Sequence, residues 1–519
     1  MIQAKKQLSN DFTVLDIGYI NKVITLLSKN INSTEYYIGY DPLIFTKKII
    51  NHLENAKNRD NNSIKFKPLD NNLVDEIWKR DKDYNTQSAI ILDAKYTAES
   101  VQQKITRLLL RFNTDYLLIT TPENICWLLN IRGNDLLYTP LILSYLLIDR
   151  EGQISIYSNI KKLKIYCQYV TLYPFENIKD KILEIDYNNN SIQFDCSETP
   201  IWFNHHLKKY NIVDNKNPCI LLKSVKNTVE ISGFQYSVIQ DGIALVKLFR
   251  WLKYKVKNEE KLTEISIDQQ LSYFKKQCRS FKGKSFETIS SYGINSAIIH
   301  YNPYNGDNLN VHNGNFYLLD CGSQYVCGTT DVTRTFYFGK PTDEGKFYYT
   351  IVLKGLINLS KLLFPKGTCG SQIDVIARQF LWNNLLDFPH STGHGVGHYS
   401  LVHEGPQGIS KFNHQEIYKN MVITIEPGHY IPGRYGIRIE NMLVVKEVSN
   451  NNNFLQLETI TLAPIEYNLI KEDLLTMSEK KWLLAYHKKL YSQLSPFLLG
   501  PEKNYLQNYV EIYSQLIKH

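Results

Sequence analysis

No stretch of this 519-residue chain approaches the ~20 consecutive apolar residues that span a bilayer. Its most apolar run, residues 138–148, is about half that length and is broken by Thr139, Pro140 and Ser144. The first residues, Met1 to Asp11, lack the apolar centre of a secretory signal. Charge is not concentrated either. The 59 Lys and Arg against 51 Asp and Glu leave a net +8, and the basic residues are scattered rather than blocked, so no nucleic-acid arm or membrane surface is marked. The eight cysteines include no C-x-x-C pair and no regular spacing, which argues against a disulfide frame or a thiolate metal site and for reduced, buried thiols. These absences together predict a soluble cytoplasmic protein with neither nucleic-acid nor membrane partners.

What is present fits a large globular protein. The length suggests roughly three domains, and the 43% hydrophobic fraction is enough for ordinary cores. Ile38-Gly-Tyr-Asp-Pro42 reads as a strand and turn, and Ile49 to Leu53 as part of a helix. A strand at 89–92, a helix through 98–112 and a very apolar strand at 116–119 then argue for a second α/β unit. Asn227-Thr-Val-Glu230 is a capping box opening a long amphipathic helix, with Ile231, Phe234, Val238, Leu245, Phe249 and Leu252 on one stripe. Thr476-Met-Ser-Glu479 opens another, with Leu483, Tyr486, Leu490 and Leu494 on one side until Pro496. The expected division is an N-terminal domain at 1–88, a second at 89–222, a third at 223–468 and a helical extension at 469–519.

The chemistry gathers in residues 316–440. Phe316-Tyr-Leu-Leu-Asp320-Cys-Gly-Ser-Gln-Tyr-Val-Cys-Gly-Thr-Thr-Asp331 reads as one hairpin, and a turn on Tyr325 and Val326 sets Asp320 opposite Asp331. Opposed carboxylates lie about 5 Å apart at Cβ and repel, so a cation between them is expected. Cys321 points away from that face. Downstream stand His394 in His-Ser-Thr-Gly-His-Gly-Val-Gly-His, Glu426 in Thr-Ile-Glu-Pro-Gly and Glu440 in Gly-Ile-Arg-Ile-Glu-Asn. Four carboxylates and one imidazole balance two divalent cations, whereas a single ion would leave two buried negative charges uncompensated. The glycines at 393, 395 and 397 argue against a helix, so the four-residue histidine spacings do not form a helical zinc motif.

These five residues, in Leu-Asp320-x-Gly, Gly-Thr-Thr-Asp331-Val-Thr-Arg-Thr, His394, Thr-Ile-Glu426-Pro-Gly and Gly-Ile-Arg-Ile-Glu440-Asn, resemble the dinuclear metallopeptidases of the pita-bread fold, most closely the Xaa-Pro aminopeptidases. The resemblance implies an α/β (α+β) chain whose pita-bread catalytic domain follows two smaller α/β domains, the first shortened by loss of its opening strand–helix segment. It implies release of the N-terminal residue from peptides with proline second, by attack of a metal-bridging water. Asp331 and Glu440 would bridge the metals, Asp320 would complete one and His394 with Glu426 the other, with Glu426 as general base. His403 would serve the carbonyl oxygen and His300 the transition state, while His390 and Tyr430 would line the proline side. Arg438 would orient Glu440 or a neighbouring acid, and Arg132 stands either for a substrate contact or for a structural ion pair. Manganese is the implied metal; the donor set also permits zinc, cobalt or iron. A homodimer is the implied assembly. Prolidase shares these ligands and remains the alternative within the class. A non-catalytic pita-bread binding module is the alternative outside it, and would be expected to have lost ligands.

Overall fold

A computed structural model of the chain describes residues 36–59, 64–78, 88–163, 169–185 and 189–518, with short pieces before residue 15. The opening segment expected to be shortened falls mainly in 15–35, outside the described residues. Strand Tyr36–Tyr40 pairs in parallel with Ile64–Pro68, and helix Lys47–Arg59 joins them. Among the described residues of this unit, Tyr40, Ile50, Leu53, Ala56 and Ile64 pack together with Ile201 of the next unit.

That next unit is a six-stranded mixed sheet in the order Asn211–Asp214, Ser191–Phe194, Tyr116–Ile119, Ser144–Asp149, Ile154–Ser158, Val170–Pro174. The helix expected over 98–112 is Val101–Leu109, and a separate short helix, Ala94–Thr97, precedes it. Ala98 closes the short helix in the left-handed region, and Ser100 opens the longer one by a capping box with Gln103, so the start falls at 101 rather than 98.

The capping box at Asn227 and Glu230 forms as expected and starts a 30-residue helix, Thr228–Lys257, whose Ile231, Phe234, Val238, Leu245, Phe249 and Leu252 are all buried. It pairs with helix Glu264–Lys276, and helix Asp343–Ser360 pairs with Gly370–Trp382. Two sheets lie against these pairs: one built on the hairpin Phe316–Tyr325 and Gly328–Tyr337, the other running Leu363–Pro365, Asn451–Thr459, Asn441–Val448, Val422–Ile425. Capped at Thr476 and Glu479, helix Met477–Leu494 buries Leu483, Tyr486, Leu490 and Leu494, and packs against Gly500–Lys518. No helix among the described residues is long and apolar enough to cross a membrane.

The hairpin register differs from the expected one. Tyr325 pairs with Gly328, so the two-residue turn is Val326-Cys327, Asp320 stands opposite Thr333, and Asp331 opposite Gly322. Close docking on the long helix accompanies this register. A Cβ on Gly233 would lie 2.1 Å from the Cys327 carbonyl oxygen, and one on Gly328 would lie 2.7 Å from Ser237 Oγ. Moving the turn by one residue slides the pairing by two, so both aspartates keep the same face but become diagonal neighbours. Gly322, opposite Asp331, lets Ser285 approach the hairpin closely, since a Cβ there would meet Ser285 Oγ at 2.1 Å. The alternate residues Tyr317, Leu319, Cys321, Val332 and Phe336 turn to the helix side, where burial holds the Cys321 thiol up at about 12.

Candidate metal centre

The five expected ligands come from extended segments that converge on one place: two lie inside the long strands of the hairpin, and three lie at or just beyond the ends of short strands. Asp320 and Asp331 come from the hairpin. Glu426 follows strand Val422–Ile425, fixed by its N–H donating to the Thr392 carbonyl at 2.7 Å. Glu440 follows Tyr435–Arg438; its N–H donates to the Thr333 carbonyl at 3.1 Å, and Thr333 Oγ1 donates to Glu440 Oε2 at 2.9 Å. His394 sits in the pair Gly393–His394 with Gly408–Ile409, its N–H donating to Thr424 Oγ1 at 3.1 Å. Gly393 permits this approach, because a Cβ there would lie 1.8 Å from the Thr424 carbonyl oxygen.

Donor atoms of Asp320, Asp331 and Glu440 lie within 4.8 Å of one another, as do those of His394, Glu426 and Glu440, so Glu440 joins the two groups. Asp331, His394 and His403 form a third such group. His394 Nδ1 lies 2.9 Å from the Gly395 carbonyl oxygen, which can only accept, so Nδ1 holds the proton. The bare Nε2 then faces Asp331 Oδ2 at 3.4 Å and Glu426 Oε1 at 3.5 Å. Acceptors confronting acceptors at that range repel unless a cation lies between them.

The titration behaviour agrees. Burial, then Asp320 and Glu426, push the Asp331 carboxyl well above its ordinary range. Burial and Glu440 do the same to Glu426, and burial with Asp331 and Asp320 to Glu440. Asp320 Oδ1 is buried with no hydrogen-bond partner. Among the described residues one basic side chain bonds to the group: Arg438 Nη2 donates to Asp320 Oδ2 at 2.6 Å, and its Nη1 to Tyr430 Oη at 2.7 Å. Arg438 therefore orients Asp320 rather than Glu440. Four carboxylates against one guanidinium leave the centre short of positive charge. Oxygen-rich donors with one imidazole fit a pair of divalent ions.

Histidines rim the centre. The His403 ring meets the His394 ring edge-on at 4.0 Å, and burial followed by His394 holds His403 down at about 4. His390 Nε2 lies 2.9 Å from Tyr430 Oη, its Nδ1 donates to the Ser391 carbonyl at 2.8 Å, and burial with Arg438 lowers it to about 3. His300 is exposed, beside Arg438 and Asp320. Arg132 is not brought to this group. It is buried 3% exposed, and its guanidinium donates to the carbonyls of Cys126 (2.9 Å), Ile131 (2.8 Å), His398 (2.8 Å) and Tyr399. Four of its five N–H groups are committed to backbone carbonyls, a structural clamp rather than the expected ion pair.

Supporting residues passed over in the sequence include Thr333, Thr424 and Arg378. Arg378 donates to Asp374 (2.7 Å), to Asp387 (2.7 Å) and to the His390 carbonyl (2.8 Å). The Asp374 to Arg378 spacing of four on a helix was the available signal. The threonines carried none.

Two opposed sheets flanked by paired helices, with such a centre between them, define a pita-bread metallopeptidase. Residues 233–447 match Metallopeptidase family M24, 80–230 the Creatinase/Prolidase N-terminal domain, and 453–512 the C-terminal region of peptidase_M24. The chain belongs to metallopeptidase family M24. Within the family it is 35% identical to a probable Xaa-Pro aminopeptidase P of Laccaria bicolor, over 96% of this chain and 80% of that one. It is 33% identical to Xaa-Pro aminopeptidase 1 of Dictyostelium discoideum, over 96% and 83%. The X-prolyl aminopeptidase of Caenorhabditis elegans, described as a cytosolic enzyme with a di-nuclear active site, superposes with a TM-score of 0.88 at 29% identity, covering 98% of this chain and 84% of that one. A Xaa-Pro dipeptidase of Bacillus anthracis superposes at 0.58 with 23% identity over 71% of this chain and 99% of that one, a likeness of fold.

Proposed function

We propose that this protein is a metal-dependent aminopeptidase that removes the N-terminal residue from peptides with proline in second position. The observation that carries the reading is the confrontation of acceptor atoms from Asp320, Asp331, His394, Glu426 and Glu440, which a pair of divalent cations would relieve. Asp320, Asp331 and Glu440 on one side, and His394 and Glu426 with Glu440 on the other, would hold the ions; manganese is our choice of metal. When bound, such ions would acidify a water and polarise the scissile carbonyl.

Every remaining task falls to side chains. Glu426, at the centre beside His394, would take a proton from the attacking water and return it to the departing proline nitrogen. His403, neutral above about pH 4, offers an N–H to the carbonyl oxygen as it gains charge. His300, at the rim near Arg438, hydrogen-bonds the same transition state. His390 and Tyr430, with ring centroids 5.5 Å apart, wall the proline side. The substrate's free amine reads the Asp320 side, where Oδ1 has no other partner.

We assign the first domain to 1–88, the second to 89–222, the catalytic domain to 223–468 and the helical extension to 469–519. We place the enzyme in the cytoplasm, as a homodimer acting on peptides. The test is cleavage by metal-stripped protein with each metal added back, comparing an Xaa-Pro-Xaa peptide with an Xaa-Pro dipeptide. Cleavage of the tripeptide only with metal supports the proposal. Cleavage of the dipeptide alone makes it a prolidase, and cleavage of neither removes the enzymatic reading.

A further inference from the structure

The loop from His394 to Glu404 carries one expected metal ligand at its start and His403 near its end, and the second domain and its junction hold it between those points. Arg132, on the second domain's strand Ile131–Arg132, donates to the carbonyls of His398 and Tyr399 while its remaining bonds fix Cys126 and Ile131. Gln324, at the end of the metal hairpin, donates to the Ser400 carbonyl at 2.8 Å and to the Tyr138 carbonyl of the second domain at 3.2 Å. Glu404, next to His403, is 3% exposed; Lys226 donates to it at 2.9 Å, and Lys223 lies 3.4 Å from its other oxygen. Lys223 ends helix Pro218–Ser224, and Lys226 precedes the cap of the long helix, so both sit at the domain junction. The Glu404 N–H closes the loop on the Gly395 carbonyl at 2.8 Å. Two of these anchors are buried charged groups, where a lost partner is felt strongly.

We infer that Arg132 and Glu404 are positioning residues: through them, docking of the second domain sets where His403 stands relative to His394. The grip is independent of the proposed activity, and only the kinetic consequence rests on that reading. A carbonyl clamp by a planar fork cannot be rebuilt by lysine, which presents a point donor.

The test uses the full-length, metal-loaded protein and two variants, Arg132→Lys and Lys223→Met, the second milder because Lys226 still holds Glu404. Hydrogen exchange read by mass spectrometry should quicken in peptides covering 394–404 while the hairpin 316–337 stays protected, and metal content should stay at the wild-type value. Turnover of the Xaa-Pro-Xaa peptide should fall about tenfold in Arg132→Lys, and less in Lys223→Met, with KM within twofold, as expected when a transition-state group is displaced. Unchanged exchange in 394–404, or exchange raised uniformly across the chain, overturns the inference. If exchange rises as stated but even the wild type cleaves nothing, the grip stands and the peptidase reading fails. Should Arg132→Lys fail to fold, Lys223→Met decides alone.

Discussion

The molecule buries charge in two places, and it balances them differently. At the domain junction, Glu404 meets Lys223 and Lys226, and although burial alone would raise it, the two lysines hold its carboxyl at about 2. At the proposed metal centre, Asp331, Glu426 and Glu440 are pushed up by burial and by one another, with Arg438 as the one guanidinium in the group. The first cluster is complete within the chain and serves structure. The second is short of positive charge and is completed from outside, which is the condition for binding an ion.

Breaking the incomplete cluster should have the largest effect. Asp331→Ala is expected to abolish peptide cleavage with every metal and to lower bound metal, both read on purified protein. Near-full activity in that variant would remove the proposed mechanism. Breaking the complete cluster should cost stability: Lys226→Met should lower the unfolding free energy by about 3 kcal/mol in a denaturant titration, with Glu404→Gln in the same chain restoring most of it. If the single variant is neutral, the junction cluster is not the balanced element described above.

A smaller effect separates the clusters by what each lacks. Divalent metal at about 100 times its dissociation constant should stabilise the protein by about 2.7 kcal/mol, a rise in melting temperature of roughly 2–5 °C for a protein of this size. In Asp331→Asn, metal-free protein should melt no lower than wild type, because one repelling carboxylate is gone, and metal should add little. The smallest effect is acidic. Glu404 is depressed in the folded state from an ordinary value of about 4.3, so its stabilisation is present above that pH and is lost as pH falls through about 2. Lys226→Met, with a weaker grip on Glu404, should therefore show a shallower acid loss of stability than wild type. An equal slope would assign the acid limb to other groups.

The candidate ligands could be picked out in the sequence because each acid stands in a distinctive local context, such as Thr-Ile-Glu426-Pro or Arg-Ile-Glu440-Asn, and the fold brings them together. The stripe and caps of Thr228–Lys257 and Met477–Leu494 were legible for a related reason: they are short-range patterns on one element. The pairing of Asp320 was not, since alternation fixes a face but not a register, and Gly233 against Cys327 decides the latter from far along the chain. Arg132 was misplaced on similar grounds. Nothing near it in sequence marks the His398 and Tyr399 carbonyls that it holds.

By itself, then, the order of residues determined which side chains are chemically able to hold cations and where the principal helices begin. Their burial is a different matter. Whether an acid finds a lysine, as Glu404 does, or other acids and an imidazole, as Asp331 does, depends on contacts between segments tens to hundreds of residues apart, and only the folded chain brings those together. Electrostatic energy at short range falls steeply with separation and solvent access, so the same residue types became a structural lock in one place and an ion site in the other.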